Sequence, residues 1–152
     1  MEKAIQIRPV RLEDISAIER IRQSISEDTA EFDLKKFISR KITHENQDSF
    51  VVAEKDGCVA GFMISNMIYG AFGVQKSAWI VSMGVDPDFM GQGIGVKMAE
   101  AVFDLYRKKG VEYIYSSVIW DSIDLLSFFK KVGFERSKFI NLQKKLLRCS
   151  GS

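Results

Sequence analysis

Met90-Gly91-Gln92-Gly93-Ile94-Gly95 sets three glycines at alternate positions directly ahead of a long helical pattern. A loop of this kind suits an anion. The first turn of a helix offers unpaired N–H groups and a partial positive charge. Glycines let the backbone close on an oxygen-rich group with no Cβ in the way. Two better-known phosphate motifs do not fit. A P-loop would place Lys and then Ser or Thr after its last glycine, where Val96 and Lys97 stand. A dinucleotide fingerprint starting at Gly91 would need its third glycine at Val96. Asp121 closes the next strand, as that fingerprint would like, but one acidic residue does not restore the glycine pattern. Taken alone, the glycines serve two readings: a phosphate cradle, or a turn that only lets strand and helix pack closely.

Other residues could also do chemistry. His44 is the sole histidine and lies in a polar stretch, His44-Glu45-Asn46-Gln47-Asp48, which reads as solvated surface. No second His or Cys stands at metal-ligand spacing with it, so no metal is expected. Glu27, Asp28, Glu31 and Asp33 form an acidic run, which serves as a solvated linker or as an attractor for a cationic amine. Asp121 suits a helix cap and is also a carboxylate beside the loop of interest. Phe62, Tyr69, Phe72, Trp79, Tyr115 and Trp120 read as core or groove wall, with Tyr69 and Phe72, in or beside a glycine-containing loop, the favoured contacts for a ligand. Cys58 and Cys149 lie in no metal or redox spacing and read as reduced thiols in a cytosolic protein.

The elements that would position these residues follow from periodicity and punctuation. Ala4 to Arg8 is a short strand ended by Pro9. Leu12, Ile15, Ile18, Ile21 and Ile25 recur at helical spacing, with Glu13 and Asp14 in the first turn. Asp33 caps a second helix with Leu34, Phe37, Ile38 and Ile42 on its apolar face. Ser49 to Glu54 and Cys58 to Tyr69 are strands joined by the hairpin signal Asp56-Gly57. Gly70 to Lys76 reads as a loop, and Ser77 to Val85 as a strand stopped by Asp86-Pro87-Asp88. A long helix covers Gly93 to Lys109, with Ile94, Met98, Ala101, Val102 and Leu105 inward and Gly110 as its stop. Tyr113 to Ile119 is a strand, Ser122 to Lys131 a helix ended by Gly133, and Phe134 to Leu147 one or two last strands. The order β-α-α-β-β-β-α-β-α-β gives an α+β mixed sheet covered by helices.

The bulk properties agree. The chain has 152 residues, 46% hydrophobic and 28% charged, which fits one globular domain over 1–147 with a frayed tail at 148–152. A net charge of +2 is too small to argue for nucleic acid or a membrane surface. The N-terminus lacks an apolar leader core, and no window nears the ~20 apolar residues of a membrane span.

Further motifs extend the glycine loop into a family pattern. Met83-Gly84-Val85-Asp86-Pro87 precedes it, and Phe128-Phe129-Lys130-Lys131-Val132-Gly133-Phe134 follows it. Ile7-Arg8-Pro9 with Asp14-Ile15 opens the chain. In this order they resemble the GNAT N-acetyltransferase superfamily over nearly the whole chain. The resemblance implies a central mixed sheet of six to seven strands, with two parallel strands splayed apart and about four helices flanking it.

The resemblance also implies an activity: transfer of an acetyl group from acetyl-CoA to a primary amine, on a small molecule, a peptide N-terminus or a lysine, by direct attack in a ternary complex. It implies that backbone of Met83, Gly84 and Val85, at a β-bulge, pairs with the pantetheine arm, and that the N–H of Val85 or Met83 polarises the thioester. It implies that Gly91, Gln92, Gly93, Ile94, Gly95 and Val96 hold the pyrophosphate through backbone N–H groups. Ser122 replaces an Asn that would bond pantetheine, and Met90 replaces an Arg or Gln. Phe129 replaces a Tyr that would protonate the leaving thiolate, and a phenyl ring has no proton to give. Some relatives use a Glu on a central strand as base; the nearest positions here are Trp79 and Ser117. Water relayed by Ser82, Ser117 or Tyr115 and the carboxylate of Asp121 are the remaining candidates for the proton path. A non-catalytic acyl-CoA-binding module on the same fold is the alternative. The resemblance leaves room for a homodimer formed through C-terminal strands, and the two unpaired cysteines point to a cytoplasmic protein.

Overall fold

Asp56 and Gly57 both take left-handed backbone, at φ 53° and 77°, and reverse the chain in two residues as the Asp-Gly pair demands. Around this turn a computed structural model describes residues 4–25, 33–43, 49–71 and 74–147. The chain forms β1 (Gln6–Pro9), α1 (Ile15–Ile25), α2 (Leu34–Thr43), β2 (Phe50–Lys55), β3 (Cys58–Ala71), β4 (Val74–Val85), α3 (Ile94–Lys108), β5 (Ile114–Ser116) and α4 (Ile123–Lys131). The strands build one sheet in the order β1-β2-β3-β4-β5. The first three pairings are antiparallel and β4–β5 is parallel. The mixed sheet is therefore as expected, but it has five strands among the described residues, where six to seven were implied.

The difference lies at the C-terminal end. Residues 134–147 form no strand, where one or two were expected. A strand exists only by pairing, so propensity without a neighbouring ladder does not make one. The strand expected over Tyr113 to Ile119 is confined to Ile114–Ser116. The loop expected at Gly70 to Lys76 is also shorter, because β3 runs to Ala71 and β4 starts at Val74.

Two compact units divide the fold, one within Met1–Ser116 and one within Ser117–Ser152. The first holds the sheet, α1, α2 and α3. On one sheet face, Phe50, Val52, Phe62 and Ile64 pack with Ile18 and Ile21 of α1 and Leu34 and Ile38 of α2. Each such side chain contributes about 1.5–3 kcal/mol by leaving water. The other face carries α3, which turns Ile94, Met98, Val102 and Tyr106 inward. This stripe corrects the expected one: Ala99 and Tyr106 are buried in place of Ala101 and Leu105, because strict four-residue steps from Ile94 lead to Tyr106. Gly110 at φ 75° closes that helix. No helix among the described residues is long and apolar enough to cross a membrane.

Arg8 ties the start of the fold together. Its Nη1 and Nη2 donate to Asp14 Oδ2 and Oδ1 at 2.8 and 2.9 Å, and its Nε donates to Glu54 Oε2 at 2.7 Å. Asp14, only 4% exposed, also accepts the N–H of Arg11 at 2.8 Å. Burial pushes the Asp14 carboxyl up, but the hydrogen bonds from Arg8 and Arg11 outweigh it and hold it below the usual carboxylate range. The ionised form is thus preferred in the folded state. Its contribution is present above the unfolded value near ~3.9 and is lost as pH falls through the lower folded value. Asp14→Asn is expected to lower unfolding free energy by about 2 kcal/mol at neutral pH. Urea titrations should show the gap between the two proteins closing as pH drops below about 4.

Candidate functional site

The last turn of β4 prepares an open strand edge. β4 pairs with β5 only over Ala78↔Ile114, Trp79↔Tyr115 and Ile80↔Ser116. Beyond that point β4 continues to Val85 while β5 has ended, so the side of β4 away from β3 is left without a ladder. Ser116 Oγ finishes the pairing by donating to the Ile80 carbonyl at 3.0 Å. The parallel ladder thus ends at Ile80 and Ser116, while β4 goes on to Val85.

Register decides which backbone groups face that opening. Asp86 N–H donates to the Ala60 carbonyl at 2.8 Å. Antiparallel bonding alternates, so Gly84 and Ser82 also turn their polar groups to β3, while Met83 and Val85 turn theirs to the open edge. Met83 and Val85 sit in regular register with Met63 and Gly61; the β-bulge lies earlier, where the pairing steps from Ser82↔Ile64 to Ile80↔Ser65 and leaves Val81 unmatched. The bulge was expected at Met83 to Val85 and is at Val81. Its effect on side chains is a change of phase. Trp79, opposite Asn66, and Gly84, opposite Phe62, share one face although one position is odd and the other even.

Gly84 has a packing reason to be glycine. A Cβ there would lie 2.6 Å from Ile25 Cδ1, 2.8 Å from Phe62 Cε1 and 3.1 Å from Ile21 Cγ2. α1 therefore presses directly on the β4 backbone at the residue between Met83 and Val85.

Asp86-Pro87 then turns the chain. The Asp86 carboxylate caps a short 3-10 turn over Pro87–Phe89 by accepting the Asp88 N–H at 2.9 Å, and it meets Arg20 Nη2 at 3.2 Å. The loop that follows has Gly91 at φ 81° and Gly93 at φ 76°. Gly93 is the N-cap of α3, and no side chain caps it. The first intrahelical acceptor bond is Lys97 N–H to the Gly93 carbonyl at 3.0 Å, so the N–H groups of Ile94, Gly95 and Val96 precede the helical ladder. A Cβ built on Gly91 or Gly93 meets no atom within 4 Å. The space beside an uncapped helix start is therefore open, and its donors fit a diphosphate.

Of the other expected site residues, Tyr115 belongs to the same unit and stacks on Trp79 with ring centroids 5.1 Å apart. Tyr113 stacks on Tyr115 in turn, at 6.2 Å. Trp79 Nε1 is buried and meets no acceptor among the described residues. Asn66, across from Trp79, accepts from Lys41 Nζ, which also donates to Ser49 Oγ at 3.0 Å and the Ser65 carbonyl at 3.2 Å. Burial lowers the Lys41 pKa. No motif in the sequence marked Lys41 or Asn66. Tyr69 is 72% exposed on β3, and Phe62 is core. Phe72, His44, Glu27, Asp28, Glu31 and Cys149 lie outside the described residues, while Asp33 caps α2 through the Lys36 N–H at 3.0 Å.

Ser117, Asp121, Ser122 and Phe129 belong to the second unit. Ser117 Oγ accepts from Asn141 Nδ2 at 2.7 Å. Asp121 is exposed and does not cap α4; the N-cap is Ser122, which makes no side-chain cap bond. The one-residue shift leaves the Asp121 carboxylate off the helix start. Phe129 is buried, with Phe128 and Phe134 edge-on at 5.3 and 4.9 Å.

Comparison with known proteins gives the same assignment. The model of the acetyltransferase (GNAT) family matches residues 12–134. An acetyltransferase of Pectobacterium atrosepticum is 30% identical over 110 residues, 72% of this chain and 73% of that one. N-alpha-acetyltransferase 30 of Schizosaccharomyces pombe is 25% identical over 119 residues, 78% of this chain and 77% of that one. A solved aminoglycoside N-acetyltransferase in complex with CoA superposes with a TM-score of 0.77 at 16% identity, covering 93% of this chain and 95% of that one. The family model over residues 12–134 and these relatives show that the chain belongs to the acetyltransferase (GNAT) family and is an acyltransferase.

Proposed function

We propose that this protein moves an acetyl group from acetyl-CoA to a primary amine, with both bound at once. One observation carries the reading: the open β4 edge at Met83 and Val85 runs straight into the uncapped start of α3. Acetyl-CoA supplies a thioester, and attack of the amine on its carbonyl carbon forms the C–N bond as the C–S bond breaks. The backbone of Met83 and Val85 would pair with the pantetheine amides as a strand would, and their N–H groups would polarise the carbonyl. Gly91 to Val96 would hold the diphosphate through N–H groups. Ser122 and Phe129 are proposed as further pantetheine contacts.

The ammonium must lose a proton before it attacks. Tyr115, Ser117 and Asp121 are the proposed candidates for that path. Phe129 holds no proton, so the thiolate leaves without an acid from that position; CoA thiolate tolerates this, and positioning supplies much of the rate. The range of acceptors proposed is supported by relatives named as an N-alpha-acetyltransferase and an aminoglycoside N-acetyltransferase.

Calorimetry with acetyl-CoA should show one site per chain. Thiol release should follow when a panel of peptides, amino sugars and simple amines is added. Absence of binding at high micromolar acetyl-CoA would sink the proposal; tight binding with no thiol release on any acceptor would turn it into a binding module.

A further inference from the structure

The glycine loop carries no cation. Met90 through Val96 are all uncharged, and Lys97 comes only within the first turn of α3, exposed to solvent. A diphosphate ester carries about two negative charges, and backbone N–H groups offset them only in part. A positive side chain nonetheless reaches the loop from another part of the fold. Lys55 Nζ donates to Gln92 Oε1, between residues 37 apart in sequence.

The hairpin places it there. Lys55 is the last residue of β2, opposite Cys58, and the left-handed Asp56-Gly57 pair turns the chain immediately after it. Lys55 is half-buried and forms no ion pair among the described residues. Its neighbour Glu54 is engaged by Arg8. Its hydrogen-bond partner, Gln92, is a neutral amide that sits between the two left-handed glycines of the loop. A neutral acceptor binds an ammonium more weakly than a phosphate oxygen does, since bonds between two charged groups are roughly twice as strong.

We infer that Lys55 is the cationic partner of the cofactor diphosphate, held at the loop by Gln92. The inference rests on the loop being the CoA site, and it adds a residue that the loop motif does not contain. Lys55→Gln and Lys55→Arg should be compared with the parent protein by calorimetry, using acetyl-CoA and 3′-dephospho-CoA at low and high salt. Lys55→Gln is expected to weaken both ligands about fivefold to tenfold and to flatten the salt dependence of binding. Lys55→Arg is expected to stay within about twofold, because the charge is kept. The melting temperature of ligand-free Lys55→Gln should stay close to that of the parent, which separates binding from folding.

An unchanged affinity in Lys55→Gln would overturn the assignment and leave the cofactor site intact. A loss seen with acetyl-CoA but not with 3′-dephospho-CoA would also overturn it, by moving Lys55 to the 3′-phosphate. Failure of the parent protein to bind either ligand would remove the cofactor site and this assignment together.

Discussion

Gly93→Glu is expected to cut acetyl-CoA affinity by at least about 100-fold while leaving the protein folded. Two effects act in the same direction. Gly93 sits at φ 76°, where an L side chain costs roughly 1–2 kcal/mol. A carboxylate at the helix start would also occupy the cradle with the same sign of charge as the diphosphate. Nothing lies within 4 Å of the added Cβ, so the side chain fits without pushing on the core. Calorimetry should show binding abolished, and a urea titration should show only the backbone penalty. Retained affinity would refute the assignment of this loop to the diphosphate.

Gly84→Val acts on the opposite wall of the same site and is expected to cost about 3 kcal/mol, at the upper end of overpacking penalties. The added carbon would overlap Ile25 Cδ1 and Phe62 Cε1, at 2.6 and 2.8 Å. Phe62 is fully buried and has no free direction in which to move, so α1 must lift from the sheet. Met83 and Val85 flank the distorted residue, so acetyl-CoA affinity should fall along with stability. Ile25→Ala in the same chain removes the nearest contact and should recover part of both losses, read by urea titration and calorimetry. Independent, additive effects of the two substitutions would contradict direct contact between α1 and this strand.

Much of this arrangement could be read from residue order. Asp56-Gly57 announces a hairpin because few other pairs tolerate two left-handed residues. Asp33 announces the start of α2, and Gly110 the end of α3, for equally local reasons. The uncapped helix start at the glycine loop is legible because its requirements are local to one helix end. What eluded the sequence depends on pairing. Phe134 to Leu147 follows a helix stop at Gly133 as a last strand would, and has no ladder among the described residues. Val81 is an ordinary β-branched residue, and nothing in its type marks it as the unmatched one. Lys55 meets Gln92 only because β2 and β3 carry the hairpin to the loop, and one lysine among many gives no sign of that. Asp121 looked like a cap because it precedes a helix, but the helix begins one residue too late for it.

The unmatched Val81 also means that β4 is read in two frames. Upstream, odd positions such as Trp79 face the side of α1 and α2; downstream, even positions such as Gly84 do. One strand can thus present a large aromatic and a bare backbone to the same side from positions of opposite parity. Removing Val81 would make the ladder regular, with Ile80↔Ser65 followed directly by Ser82↔Ile64, and every other pair would keep its partner. Met83 and Val85 would go on turning their polar groups away from β3, so what the extra residue adds is local twist and a bend between the paired and the unpaired part of β4. The identity of Val81 matters less than its presence.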